Sequence, residues 1–365
     1  MRMRTSAIFA ATVLLAGTIA GCTKSSNQTT NTAPSGGDCK IALLLPENAT
    51  PRYEAADKPY FEAEVAQKAP NCKVLYFNAA NDGTRQQQQA ETALTQGAQV
   101  LVLDSADTTA AASIVEEAKG KGVKTIAYDR TPNGPVAYEF TFNAQQVGQL
   151  QGQSLVDAMT KAGAAKGAQI VMINGDTSGP EALKFKQGAH SVIDASGYQV
   201  AAEYDTPKWS PDTATTEMGQ AITKAGKNNI KGVYVANDTM AGAAINAMQQ
   251  AGINPLPPVT GQDAATDGLQ RILLGTQTMT IYKALKKLAV AAADAAVAVA
   301  TGQPVSGTTT SVKNATGDTI PANLLTPVVV TTDNLKSTVV ADGFAKASDL
   351  CTADVRAACV KYGIS

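Results

Sequence analysis

The residues of this chain that could do chemistry stand in short polar clusters, each directly after an apolar run. Arg52-Tyr53 follows the run 40–45, Asp129-Arg130 follows 124–128, and Trp209 lies beyond 199–204. Asn237-Asp238 follows 231–235, Asp263 follows 258–262, and Tyr282-Lys283 follows 277–281. Carboxylates, an amide, Arg and Lys offer strong hydrogen bonds of both polarities, and each hydroxyl of a polyhydroxy ligand needs a donor and an acceptor. Rings such as Tyr53 and Trp209 can stack on the C–H faces of such a ligand. Together the clusters form the inventory of a neutral-sugar site. Taken singly, Asp238 and Asp263 could equally cap the helices they precede, and an Arg beside an Asp is often only an ion pair. Catalysis has little raw material. His190 is the one histidine, and no GxSxG elbow, HExxH, CxxC, GxGxxG or GxxxxGK[ST] occurs. Neither a metal nor a cofactor is expected.

What must position these clusters is an alternation of strand and helix. Strands are expected at 40–45, 73–77, 99–103, 124–128, 168–173, 199–204, 231–235, 258–262, 277–281 and 325–330. Amphipathic helical stretches fall at 83–96, 107–121, 144–162, 181–195, 212–226 and 239–252. Such alternation implies an α/β fold with parallel sheets covered by helices on both faces. The strands are too many for one ordinary sheet of this kind, so two doubly wound domains are the economical reading. In such folds ligands bind outside the carboxyl ends of the strands, where the polar clusters lie. The Ala-rich stretch 285–301 is interrupted by Lys286, Lys287 and Asp294 and reads as a packing helix, not a membrane span. Gln86 to Gln89 reads as a solvated helix face, and His190 as a surface position in mid-helix.

Composition narrows the class further. The chain has 365 residues, 44% hydrophobic and 17% charged, which excludes a disordered chain and a polytopic membrane protein. Thirty Lys+Arg against 31 Asp+Glu leave no basic field for nucleic acid. Residues 1–21 carry Arg2 and Arg4 before an apolar stretch and end Ile19-Ala20-Gly21, followed by Cys22. That is a secretory signal whose end resembles a bacterial lipobox, so Cys22 is the expected lipidation site and membrane anchor. Residues 23–38 hold no large apolar side chain and read as a flexible tether.

The remaining cysteines are Cys39, Cys72, Cys351 and Cys359, which allow three connectivities. Cys39 and Cys72 each precede a strand candidate. If those strands are parallel neighbours, the two cysteines start about 5 Å apart, within disulfide reach. Cys351 and Cys359 then pair with each other. Eight residues of continuous helix would span about 12 Å, so that bridge requires a break between them.

Four stretches carry a family resemblance: Ala127-Tyr-Asp-Arg130, Ala236-Asn-Asp-Thr-Met-Ala-Gly242, Gly261-Gln-Asp263 continuing to Gly275-Thr-Gln-Thr-Met-Thr-Ile-Tyr-Lys283, and Leu324-Leu-Thr-Pro327. In these the chain resembles periplasmic-type sugar-binding proteins of ABC importers, on the D-xylose-binding branch of the ribose/galactose group. The resemblance implies two lobes joined by three crossings near 141–144, 282–284 and 320–324. Lobe one would be 39–141 with 284–320, and lobe two 142–282 with 322–340, leaving 341–365 as a disulfide-bearing tail. It implies ligand roles for Arg52, Asp129, Arg130, Asn237, Asp238, Asp263 and Lys283, with Tyr53 and Trp209 stacking on the sugar. It further implies a monomeric extracytoplasmic receptor that takes a monosaccharide, with a xylose-like pentose foremost, to an ABC permease. Two segments depart. The first ligand loop, Pro46 to Tyr53, differs from the family's usual acidic version. Where the family usually has Asp-Asn-Asn-Ala, this chain has Gly179-Pro180-Glu181-Ala182. Glu181 can accept a hydrogen bond there but cannot donate one when ionised.

Three other readings compete. A transcription regulator of the same fold would need a DNA-binding module where the signal and tether stand. A sugar-acting enzyme would need a tuned carboxylate pair. A sugar sensor for a signalling receptor would share the fold and the site.

Overall fold

A computed structural model describes residues 39–314 and 316–364 of the chain. The signal segment, Cys22 and the tether lie outside the described residues. In chain order the elements begin with β1 (Cys39–Leu45), α1 (Lys58–Lys68), β2 (Cys72–Asn78), α2 (Gly83–Thr95), β3 (Val100–Leu103), α3 (Ala111–Gly120), β4 (Lys124–Tyr128) and β5 (Tyr138–Phe142). There follow α4 (Ala144–Lys161), β6 (Gln169–Asn174), α5 (Pro180–Ser196), β7 (Gln199–Asp205), α6 (Pro211–Ala225), β8 (Ile230–Val235), α7 (Asp238–Gln250), α8 (Thr266–Leu274) and β9 (Thr280–Tyr282). The chain ends with α9 (Leu285–Ala300), β10 (Thr310–Lys313), β11 (Thr319–Leu325), β12 (Val328–Val330), α10 (Ala347–Leu350) and α11 (Arg356–Lys361).

The larger sheet has the order β10-β11-β5-β4-β3-β1-β2, parallel except for the β10–β11 hairpin. β1 shows why it forms. Ile41, Leu43 and Leu45 pack under α1 and α9, while Ala42 and Leu44 pack on the α2–α3 side. A strand covered on both faces needs an unbroken apolar run, and Ile41-Ala-Leu-Leu-Leu45 is one. The smaller sheet, β7-β6-β8, is also parallel, and Val259 adds a parallel bridge beside Val233. The 258–262 run is thus extended and bonded to β8 without becoming a full strand; Pro257 and Pro258 remove the donors a ladder needs. β9 and β12 form an antiparallel pair.

The order β2-β1-β3 reverses direction at β1, and β7-β6-β8 does so at β6. These are the switch points at which a crevice opens beyond the strand ends. The two sheets present those ends to each other. The chain passes between them after Phe142, after Tyr282 and after Leu325. The last of these lies beyond the expected 320–324, because β11 stays paired with β5 as far as Leu325↔Phe142. Strand β5 and the β10–β11 hairpin were not legible in the sequence, and they extend the first sheet at its edge.

Cys39 and Cys72 are register partners on β1 and β2 and are bridged, with Cα atoms 4.2 Å apart. Cys351 and Cys359 are bridged as well. The required break is there, because α10 stops at Leu350 and a turn precedes α11. Far from hanging loose, the tail buries Leu350, Val355, Cys359 and Ile364 against Leu269, Ile272 and Leu273 of α8. Helix α9 packs its Leu and Ala face into the first sheet's core, and no described helix is long and apolar enough to cross a membrane. Two polar expectations need correction. Gln86 is buried, donating to the Asp104 carbonyl at 2.7 Å and accepting from the Ala106 N–H at 2.8 Å, so it holds the turn after β3. His190 is partly buried, 2.9 Å from Glu203 and 3.1 Å from Asp194.

Candidate sugar-binding cleft

Between the two sets of strand ends lies a cavity lined by both lobes. From the first come Thr50, Arg52, Tyr53, Asp129 and Arg130; from the second come Asp176, Glu181, Phe185, Trp209, Asn237, Gln262 and Asp263. Lys283, at the second crossing, completes the lining.

Its centre is ionic and spans the cleft. Arg52, in the turn after β1, grips Asp57 with two bonds of 2.9 Å and Asp129 with one of 2.6 Å. The same guanidinium comes within 3.7 Å of Asp263 of the opposite lobe. Lys283 stands 3.0 Å from Asp263 and 3.8 Å from Asp129. Burial works to raise the Asp129 carboxyl, but Arg52, Lys283 and Arg130 outweigh it and hold it at about 2. Asp129 and Asp263 adopt φ of 52° and 89°. Backbone in that left-handed region is disfavoured for an L side chain and persists where the surroundings enforce it, commonly at ligand sites. Asp129 N–H bonds the Phe140 carbonyl and Asp263 N–H the Ile281 carbonyl, which fix these turns against β5 and β9.

The flanks are aromatic. Tyr53 lies beneath the guanidinium groups of Arg52 and Arg130, at 4.8 and 5.7 Å from its ring centroid. Arg130 also reaches the Trp209 ring at 5.7 Å. Trp209, itself at φ 54°, meets Phe185 edge to face at 6.5 Å. Its place depends on Gly175 at the end of β6: a Cβ there would lie 2.0 Å from the indole. Phe185 is positioned by the crossing of α4 and α5, where Gly148 and Gly188 let the backbones touch. A Cβ on Gly148 would fall 1.9 Å from the Phe185 carbonyl oxygen.

Of the residues anticipated from sequence, Arg52, Tyr53, Asp129, Arg130, Glu181, Trp209, Asn237, Asp263 and Lys283 line this cavity. Asn237 caps α7 through Oδ1, accepting from Met240 N–H at 2.9 Å, which leaves its NH2 as the group able to donate inward. Asp238 is the exception. Its oxygens are taken by Gln277 (2.6 Å), Thr280 (2.9 Å) and the Ala265 N–H (2.9 Å), so it braces the Asp263 turn from behind and does not line the cavity. Burial lifts its carboxyl to about 7, even though Arg271 and these donors pull the other way.

One lining residue, Phe185, and two carboxylates behind the cavity, Asp57 and Asp104, escaped the sequence reading. Phe185 sits one turn after Glu181 on α5, a position any amphipathic helix fills with an apolar residue. Asp57 had no signal beyond lying near Arg52. Asp104 stands at the end of β3, a strand end passed over in favour of the paired clusters. It is fully buried 4.0 Å from Arg130, without a hydrogen-bond partner on either oxygen, and burial together with nearby Asp129 pushes its carboxyl well up.

The lobes also bond each other directly. Asn81 donates to the Lys208 carbonyl at 3.1 Å, Thr108 to the Ser178 carbonyl at 3.2 Å, and the Thr131 N–H to Glu181 Oε1 at 3.3 Å. The cleft is shut.

Residues 41–304 match the model of the periplasmic binding protein domain. The chain belongs to that family. It is 32% identical over 326 residues to the D-xylose-binding periplasmic protein of Escherichia coli, covering 88% of this chain and 95% of that one. The D-xylose-binding periplasmic protein of Haemophilus influenzae is 31% identical, with 84% and 90% covered. Among solved structures it resembles a carbohydrate transporter solute-binding protein of Chloroflexus aurantiacus in complex with D-glucose: TM-score 0.77, 27% identity, 85% of this chain and 97% of that one. The Caulobacter myo-inositol-binding protein shares the fold, with TM-score 0.71 and 21% identity over 86% and 100% of the two chains. Within this family of periplasmic sugar-binding proteins the chain is a binding protein and not an enzyme.

Proposed function

We propose that this protein is a lipid-anchored extracytoplasmic receptor that captures a monosaccharide, a xylose-like pentose foremost, and delivers it to an ABC permease. The observation that carries the proposal is the ionic centre shared across the cleft. Asp129 and Asp263 come from opposite lobes, with Arg52 and Lys283 between them. A sugar whose hydroxyls both donate and accept can bond Asp129, Arg52 and Arg130 on one side and Asn237 and Asp263 on the other only when the lobes meet. Closure then follows from differential affinity for the shut form. Lys283, at a crossing, belongs to neither lobe and reports closure. Tyr53 and Trp209 supply the faces against which a sugar ring packs. The lobes that move are 39–142 with 285–325, and 143–282 with the segment from 328. Xylose is favoured by the D-xylose-binding relatives, and the anchor by the lipobox-like end of the signal at Cys22.

A thermal-shift screen of pentoses and hexoses tests the ligand, because a ligand bound only by the folded state raises its melting temperature. D-xylose is expected to give the largest shift; a panel without any shift overturns the receptor reading. Cys22→Ser is expected to leave the protein unprocessed or free of the membrane, and unchanged retention with normal signal removal overturns the anchor.

A further inference from the structure

Glu181 is the one member of the site that bonds the opposite lobe with one oxygen and leaves the other without a partner. It stands in the first turn of α5, 8% exposed, and lines the cavity together with Phe185 one turn further on. Oε1 accepts the Thr131 N–H across the cleft at 3.3 Å, while Oε2 is buried with no hydrogen-bond partner. A buried ionised oxygen without a donor is costly, whereas a protonated one becomes a donor itself. Lys184 on the same helix and the α5 amino end favour the ionised form. Asp129, facing it from the other lobe, opposes it. Burial outweighs the rest and raises the carboxyl to about 7. Glu139 on β5 and Lys184 line a second cavity of about 450 Å³ that Glu181 also lines.

We propose that Glu181 is a specificity-determining residue of the sugar site. In the shut cleft it is a neutral acid whose Oε2–H donates to a lone pair of the captured sugar, so that capture takes up one proton from solvent. An amide at this position would donate at every pH; the carboxyl donates only while protonated. The proposal rests on the sugar-receptor reading. Its pH dependence follows from two states. In the open cleft Glu181 is solvated and ionises in the ordinary carboxyl range, about 4.3. In the shut cleft it ionises near 7. Affinity is therefore full below the first value. It falls as pH rises between the two, by at most about tenfold per pH unit, and levels off above the second. Asp129, held at about 2, keeps its charge across this window. Glu139, itself raised by burial, is the neighbour that could imitate the effect.

The test is calorimetry of D-xylose and D-glucose binding to the full chain from pH 5 to 9, in buffers of different ionisation enthalpy. The wild type is expected to take up close to one proton per sugar near pH 6 and to lose affinity toward pH 7. Glu181→Gln abolishes proton uptake and flattens the profile, whereas Glu139→Gln keeps both. Sugar binding with no proton uptake and a flat profile in the wild type overturns the proposal. So does Glu181→Gln retaining the wild-type slope, or Glu139→Gln losing it. If neither these nor any sugar of the thermal-shift panel binds at any pH, the receptor reading falls first and this proposal with it, an outcome distinct from binding that is indifferent to pH.

Discussion

The two halves of the cleft recognise by different physics. The first lobe offers charge held by charge: Arg52 is clamped by Asp57 and Asp129, while Arg130 lies near Glu47 and Asp104. The second adds shape to its carboxylates Asp263 and Glu181: Trp209 and Phe185 packed edge to face, with Asn237 and Gln262 amides between strand ends. Charged partners already bonded to one another are preorganised and lose little freedom on meeting a ligand. Aromatic faces give contact without strong directionality, and so tolerate the small rotations by which a lobe settles. The division teaches that the first lobe holds its polar groups in place by pairing them with one another, whereas the second sets its polar groups between aromatic faces.

The strongest way to break this contrast is Arg52→Ala. It leaves Asp57 and Asp129 buried without their cation, and removing one partner of such a buried network costs about 3–5 kcal/mol. Urea unfolding is expected to show that loss together with abolished sugar binding. A variant of wild-type stability would mean that the first lobe is not organised around Arg52.

Trp209→Ala is expected to do less, and differently. Loss of a stacking face costs about 0.5–1.5 kcal/mol of affinity, up to roughly tenfold, with the fold intact. Since Trp209 is the only tryptophan, Gly175→Ala sharpens the comparison: its Cβ would strike the indole and displace it, so emission should change even without ligand. Fluorescence titration reads both.

A third contrast sets two buried acids against each other by pH. Asp129 is depressed to about 2, so its contribution to stability is present above the ordinary Asp range and is lost as pH falls from about 4 toward 2. Asp238 is raised to about 7, so its contribution is full below that ordinary range and declines as pH rises toward 7. Asp238→Asn should make the second slope shallower, with Asp104 still contributing to it, and leave the acid limb untouched, as denaturant midpoints across pH would show. An acid limb that shifts with Asp238→Asn would mean that the two lobes titrate as one unit.

Much of this was legible from local signals. Parallel sheets announced themselves in runs such as 40–45 and 124–128, and Cys39 and Cys72 at matching strand starts predicted the register they share. Most cavity residues were found because a residue directly after an apolar run lies at a strand's carboxyl end in this fold class. Strand β5 was missed because Tyr138-Glu-Phe-Thr-Phe142 follows β4 after a short loop, with no helix between to mark a new unit.

What sequence alone determined is therefore local. The runs that must be buried on both faces fixed the strands, and the residues at their ends fixed the candidate ligands. Tertiary structure decided which of those ends face inward. Asp238 and Asp263 both follow an apolar run, yet one spends its oxygens on Gln277, Thr280 and Ala265 while the other meets Arg52 and Lys283 across the cleft. Asp104 came to stand behind Arg130 and Gln86 became scaffold through the turn after β3, and Glu181 became a bond between lobes through Thr131. The physical reason is that a carboxylate's role depends on what desolvates it and which donors reach it, and those partners lie tens of residues away in the chain.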